Sequence, residues 1–187
     1  MDCHRTFAEA PTDQIPTLKK VLETDRLVLR RLDAADAPFI LELLNDPDWL
    51  RFIGDKGVRN LEDARTYIRT GPADMYARLG HGLYLVELKD GGTPIGLCGL
   101  IKRDTLDDVD IGFAFLPQYR ARGYAREAAA ATLVHARDSL GLKRIVAITS
   151  LDNQASARLL ERIGLRFERL IRLSSEAHPL RLFATAT

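Results

Sequence analysis

Apolar positions along this chain follow two periods, and the switches between them mark its elements. Leu27 and Leu29 fall on one face of an extended segment and Val28 on the other, so residues 22–32 (LETDRLVLRRL) read as a first strand. Phe39 with Leu43, and Ile40 with Leu44, are i, i+4 pairs, the buried stripe of a helix. Asp36 is placed to cap it, Pro38 is tolerated in its first turn, and Asn45-Asp46-Pro47 ends it. Asn60 followed by Asp63 opens a second helix, with Leu61, Ala64 and Ile68 as its apolar face. Residues 83–89 and 94–101 are strands joined by Asp90-Gly91-Gly92, a hairpin signal, and 109–115 is a third strand. A helix over 124–140 closes at Gly141, a β-branched strand covers 144–150, and a helix over 153–163 stops at Gly164. Residues 166–173 and 180–184 form a last hairpin. This order predicts a mixed α/β fold around one sheet. Residues 1–20, with Pro11 and Pro16 and no period, read as a flexible extension, and 21–187 as a single domain.

Bulk composition narrows the function classes. The chain is 46% hydrophobic and 28% charged, ordinary for a globular protein. Lys and Arg total 27 against 26 for Asp and Glu, so a net charge of +1 gives no reason to expect nucleic-acid or membrane partners. No apolar run is long enough to cross a bilayer. Residues 1–20 carry Asp2, Glu9 and Asp13 without an apolar core, so no secretory signal is read and the cytoplasm is the expected location. Cys3 and Cys98 form neither a disulfide framework nor a metal spacing, and the four histidines (His4, His81, His135, His178) are scattered, so no metal is expected.

The most informative stretch is VDIGFAFLPQYRARGYAREAAAA, residues 109–131. An apolar strand runs through Leu116-Pro117 into the basic loop Arg120-Ala121-Arg122-Gly123-Tyr124-Ala125, and an alanine-rich helix follows at once. A glycine turn that opens a helix after a strand aims free N–H groups at one point, where an anion fits. The loop lacks the Gly-Lys-[Ser/Thr] ending of a nucleoside-triphosphate loop and the first glycine of the dinucleotide fingerprint. Further on, Asn153 stands where a strand yields to a helix, with Ser156 in the first helical turn. Asn153 suits a ligand's amide groups or a plain helix cap, and Ser156 suits a ligand or solvent.

An Arg-x-x-Gly-x-Ala loop after an apolar strand, then a helix, a β-branched strand, an Asn-x-x-Ser helix and Gly-Leu-x-Phe, resembles the GNAT superfamily of N-acetyltransferases. Asn153 follows Gly123 by 30 residues, which suits it. Residues 23–30 (ETDRLVLR) and 123–128 (GYAREA) resemble its RimJ/RimL-type branch, and the likeness covers about residues 22–184. It implies a central, mostly antiparallel sheet splayed at the cofactor site and flanked by helices. It also implies acetyl-CoA as cofactor, its pantetheine arm near Phe113, Phe115 and Leu116. The pyrophosphate is expected on the amides of Arg120, Ala121, Arg122, Gly123, Tyr124, Ala125 and Arg126. Asn153 and Ser156 fall beside the pantetheine and the thioester sulfur. A homodimer through the late strands is plausible for the family.

The implied reaction is attack of a neutral primary amine on the acetyl thioester. A lysine amine, pKa about 10.4, is roughly one part in 2,500 neutral at pH 7, whereas an α-amine near 8 is roughly a tenth neutral. A peptide or protein α-amine is therefore the preferred acceptor, with a small-molecule amine and a non-catalytic acyl-CoA-binding module as alternatives. Among Asp107, Asp108 and Asp110, the last sits just before Ile111-Gly112-Phe113 and is the candidate base; a solvated strand end is the other reading. His81 precedes a strand near the expected acceptor side. Many relatives carry a thiolate-protonating Tyr where Leu160 stands here; the RimJ/RimL-type branch commonly lacks it, and the resemblance implies Ser156 as the acid, with Tyr124 as a weaker candidate. Trp49, Phe52 and Ile53, in the link 48–59, are expected either to line the acceptor pocket or to join the core.

Overall fold

The computed structural model describes residues 20–175 and 177–186. The expected extension thus lies outside the described residues, apart from Lys20, which opens a strand. Eight strands form one sheet in the order β1-β2-β3-β4-β5-β6-β8-β7. They are β1 (Lys20–Glu23), β2 (Leu27–Arg30), β3 (Leu83–Leu88), β4 (Pro94–Ile101), β5 (Val109–Phe115), β6 (Ile145–Ser150), β7 (Leu165–Ile171) and β8 (Leu180–Thr185). Every neighbouring pair is antiparallel except β5 with β6. The helices are α1 (Ala37–Leu44), α2 (Pro47–Phe52), α3 (Leu61–Ile68), α4 (Asp74–Leu79), α5 (Tyr124–Asp138) and α6 (Gln154–Arg162).

Strand alternation sorts side chains onto two cores. Leu27, Leu29, Val86, Ile95, Leu100, Ile111 and Phe115 face α5 and α6, where Ala128, Ala129 and Leu160 meet them. Leu85, Leu97, Ala114 and Leu116 face the opposite way, against Ile40, Leu43, Leu44, Trp49 and Ile68 of α1–α3. Each fully buried Leu or Ile contributes roughly 1.5–3 kcal/mol. Gly96 is required where the Phe115 ring folds over β4, since a Cβ there would meet that ring at 2.5 Å and the Ala114 carbonyl at 2.6 Å.

The structure corrects several sequence expectations. The single first strand is a hairpin, β1 and β2, turning at Thr24-Asp25-Arg26. Asp36 does not cap α1 with its side chain: Asp33 caps the 3-10 turn ahead of it, while the Asp36 carboxylate grips the Arg30 guanidinium at 2.8 and 2.9 Å. Asn45-Asp46-Pro47 ends α1 but also starts α2, because Asp46 accepts from the Asp48 and Trp49 amides and proline suits a first helical position. Leu61 is 39% exposed and lies off the buried face of α3. A π turn at Arg69–Ala73 leads into α4, which had no counterpart in the periodicity. No described helix is long and apolar enough to cross a membrane.

Arg30 is 5% exposed and Asp36 8%, and Glu87 completes the group with an ion pair to Arg30 at 2.7 Å. Removing one partner leaves buried charge without compensation. Asp36→Ala is expected to lower the unfolding free energy by about 3 kcal/mol, read from urea denaturation.

Candidate active site

β5 and β6 pair at only two positions, Val109 with Ile145 and Asp110 with Val146. Beyond these the strands part, although β5 stays on β4 as far as Phe115 and β6 stays on β8 as far as Ser150. Their inner edges therefore face a wedge. The Leu116 amide donates away from it, to the Ile95 carbonyl at 3.0 Å. By strand alternation Phe113 and Phe115 aim their backbone groups into it. On β6, Thr149 Oγ1 is buried without a partner among the described residues.

β5 runs out of the wedge into the basic loop. Ala121 and Gly123 have φ of +59° and +82° and turn the chain directly into α5. No side chain caps this helix, and its first internal donor is the Glu127 amide, to the Gly123 carbonyl at 3.0 Å. The amides from Gly123 to Arg126 thus point outward along the positive end of the helix dipole. Arg122 and Arg126 are exposed and form no ion pair among the described residues. Arg120 is different. Its side chain reaches back to the Phe115 carbonyl at 2.8 Å and to Asp46 and Asp48 of α2, and its amide donates to Pro117. Its guanidinium braces the loop against α2 and does not face an anion at the helix start.

A second brace comes from the first hairpin. Glu127 accepts from the Thr24 hydroxyl, the Arg26 amide at 3.0 Å and Arg26 Nε at 2.7 Å. Partial burial opposes its charge, but these donors outweigh it and hold the carboxyl below its ordinary range. Arg26 also donates to the Arg122 carbonyl at 3.1 Å and lies 4.5 Å above the Tyr124 ring, which packs on the first core. A Cβ on Gly123 would approach Arg26 Nη2 at 3.3 Å.

Asn153 Oδ1 accepts the Ser156 amide at 3.0 Å, so the cap expected of it is made. Its side-chain amide and the half-buried Ser156 hydroxyl have no partner among the described residues. Leu160, one turn on, is fully buried. Asp110 faces the α1–α3 side at the vertex of the wedge and is 1% exposed. Burial pushes its carboxyl up to about 6, against the opposing pull of Arg103, whose Nε donates to Oδ2 at 2.6 Å, and of the Ile148 amide. The neighbouring carboxylates do not share this setting: Asp108 pairs with Arg144 at 2.9 Å, and Asp107 is exposed.

Trp49 joins the second core, with its Nε1 buried and without a partner among the described residues, while Phe52 is half-buried and Ile53 exposed. His81, which precedes β3, is buried. Its electrostatic neighbour is His135 of α5, and burial holds its imidazole below the ordinary range. Sequence reasoning missed Thr24, Arg26, Asp46 and Arg103 as parts of the site. Among the described residues no group of three or more His, Cys, Asp or Glu is placed to hold a metal ion.

Comparison with known proteins agrees with this architecture. Residues 26–166 match the model of the acetyltransferase (GNAT) domain. A Bacillus subtilis protein described as the uncharacterized N-acetyltransferase YoaA is 30% identical over 154 residues, covering 81% of this chain and 86% of its own. The crystal structure of an acetyltransferase from Agrobacterium tumefaciens superposes with a TM-score of 0.75 at 26% identity, covering all of both chains. A RimL ribosomal L7/L12 alpha-N-protein acetyltransferase, solved in complex with coenzyme A, shares the fold at a TM-score of 0.69 and 17% identity, over 89% of this chain and 97% of that one. An eight-stranded sheet that parts at β5 and β6, and a matching sequence model over most of its length, identify the chain as an acetyltransferase of the GNAT family, with the fold of its RimL members.

Proposed function

We propose that this protein transfers the acetyl group of acetyl-CoA to a primary amine, preferably the α-amine of a peptide or protein. The observation that carries the reading is the two-residue pairing of β5 with β6, whose freed inner edge runs straight into an uncapped helix start. Backbone groups left without partners in such a gap call for a ligand that offers its own amides. Phe113 and the amide of Phe115 supply that edge, while the Phe115 carbonyl is taken by Arg120 and Leu116 holds to β4. The amides of Gly123, Tyr124, Ala125 and Arg126, with the charges of Arg122 and Arg126, suit a pyrophosphate. Thr149 Oγ1, the Asn153 side-chain amide and the Ser156 hydroxyl are the free polar groups from the far side. A bound acetyl-CoA supplies the thioester whose C–S bond breaks as the N–C bond forms.

The chain's own task is to move two protons. Asp110, with its carboxyl near 6, is ionised at neutral pH yet basic enough to take the proton from an ammonium, directly or through water. Ser156 Oγ passes its proton to the departing sulfur and takes in turn the second proton that the acetylated nitrogen sheds, so the hydroxyl is restored. Leu160 cannot donate one, but a thiol pKa of about 8.5 makes the thiolate a fair leaving group without a strong acid. An α-amine, more often neutral than a lysine, matches so mild a base.

Calorimetric titration tests the cofactor. Acetyl-CoA should bind while ATP and NADH do not, and Gly123→Asp should weaken acetyl-CoA binding by about 100-fold, or about 2.7 kcal/mol, through lost space and an added negative charge. Unchanged affinity would remove the loop from the site. Ser156→Ala should lower turnover more than acetyl-CoA affinity; equal turnover would dismiss its role as acid. In a pH profile, kcat/KM should fall about tenfold per unit below about pH 6, and Asp110→Asn should remove that limb together with most activity. The same raised pKa means the folded state holds a proton that the unfolded chain has released between pH 3.8 and about 6. This group's contribution to stability should therefore decline as pH rises through that window, read by urea denaturation.

A further inference from the structure

Two buried carboxylates of this protein are bonded to arginine, and in different ways. Arg30 grips both oxygens of Asp36 with its two Nη groups, at 2.9 and 2.8 Å, a fork that leaves neither oxygen free of the cation. Arg103 meets Asp110 through Nε alone, at 2.6 Å on Oδ2. Its Nη groups and Asp110 Oδ1 have no side-chain partner among the described residues. The first pair closes a carboxylate off; the second holds one by a single oxygen.

The Arg103 guanidinium is delivered by a turn that is itself held. Residues 102–108 link β4 to β5. Lys102 Nζ donates to the Leu106 carbonyl and, at 2.8 Å, to the Asp107 carbonyl, while the Leu106 amide donates to the Arg103 carbonyl at 3.2 Å. Leu106 then packs with Val146 and Leu182. The Arg103 side chain is 32% exposed and that of Asp110 2%, so the pair reaches from water to the vertex of the wedge. The strand neighbours of Asp110 are apolar, Ile101 on β4 and Val146 on β6. Beside the Ile148 amide, Arg103 is the one charged group among the described residues that acts on this carboxyl.

Burial favours the protonated form of a carboxyl and a neighbouring cation the charged form. A cation on one oxygen keeps the charge and leaves the lone pairs of the other oxygen able to accept. We infer that Arg103 is a positioning residue for acetyl transfer, which holds Asp110 by Oδ2 and keeps it charged so that Oδ1 takes the proton of the incoming ammonium. This rests on the acetyl-transfer reading above and deepens it. The proton passes from the acceptor nitrogen to Oδ1 while the Nε bond to Oδ2 stays in place. Arg103 acts through Asp110 and not on the acceptor.

Thiol release from acetyl-CoA tests this, followed across pH with whichever of an alanyl peptide, alanine and spermidine turns over fastest. Arg103→Met removes the bond and the charge, Arg103→Gln the charge alone, and Arg103→Lys keeps the charge. Arg103→Met should move the acid limb of kcat/KM up by about one pH unit, a loss of about fivefold at about pH 6 and little at about pH 8. Arg103→Gln should move it the same way, which keeps the test open if Arg103→Met fails to fold, and Arg103→Lys should bring the limb back. Acetyl-CoA affinity by calorimetry should match the wild type in all three. A carboxyl-carbon NMR titration, with the Asp110 signal assigned by its loss in Asp110→Asn, should show the same upward shift without any turnover. A limb or a carboxyl titration that stays in place without the Arg103 charge would overturn the inference and leave acetyl transfer standing. So would a loss of equal size at every pH that Arg103→Lys does not repair. A wild-type protein that binds acetyl-CoA and releases no thiol with any of the amines would overturn the acetyl-transfer reading and this inference with it.

Discussion

The parting of β5 from β6 after Asp110 is the constraint on which the rest of the site depends. A parallel pair held by two positions is weak by itself, and it lasts because each strand keeps a long antiparallel partner on its other side, β4 and β8. The cost of the gap is a row of backbone groups without partners, which a folded protein tolerates only where water or a ligand can reach them. The wedge is thus a built feature of the sheet. It turns a sheet edge, elsewhere a hazard for unwanted strand pairing, inward between two strands of the same sheet.

A gap of this kind needs rigid lips, and three ion-pair braces provide them. Arg26 and Thr24 tie the first hairpin to Glu127 and so fix the start of α5. Arg120 ties the end of β5 to Asp46 and Asp48 of α2, and Arg51 of α2 pairs with Asp152, beyond β6, at 2.7 Å. Helix α2 therefore spans both lips. The braces differ in strength: Asp46 is 5% exposed in its side chain, whereas Arg51 and Asp152 are open to water, where such a pair contributes little. The β5 lip is the better anchored, and it is also the lip that carries the loop.

Much of this was legible in the sequence, and the exceptions share a cause. β4 and β5 were placed to the residue and β3 within one, because short apolar runs bounded by a glycine turn, a charged link and Pro117 leave little choice. The loop at Gly123 was legible for the same reason, as a strand, a glycine and a helix in direct succession. The β1–β2 turn was hidden because Thr24-Asp25-Arg26 contains no glycine, proline or asparagine. α2 was hidden because six residues carry too little periodicity and its own start, Asp46-Pro47, reads as the end of α1. The side chain of Arg120 could not be placed, since its partners stand 72 and 74 residues earlier, and those of Glu127 stand 101 and 103 residues earlier. Spacing along a chain reports local geometry; ion pairs across it are set by the sheet order.

The same distinction explains why the sequence could single out Asp110 as a candidate base but not how basic its carboxyl is. Its position before Ile111-Gly112-Phe113 is local, but its basicity is a balance of two non-local terms. Burial pushes the carboxyl upward, toward the protonated form that can accept no proton. Pairing with Arg103 alone would hold it low, fully ionised and too weak to draw a proton from an ammonium. Together, with the Ile148 amide on the side of Arg103, they leave it near 6, close to where a carboxylate is both ionised and usefully basic in neutral solution. Arg103 therefore moderates a buried charge, and at the wedge vertex burial, a cation and the Ile148 amide meet on one carboxylate.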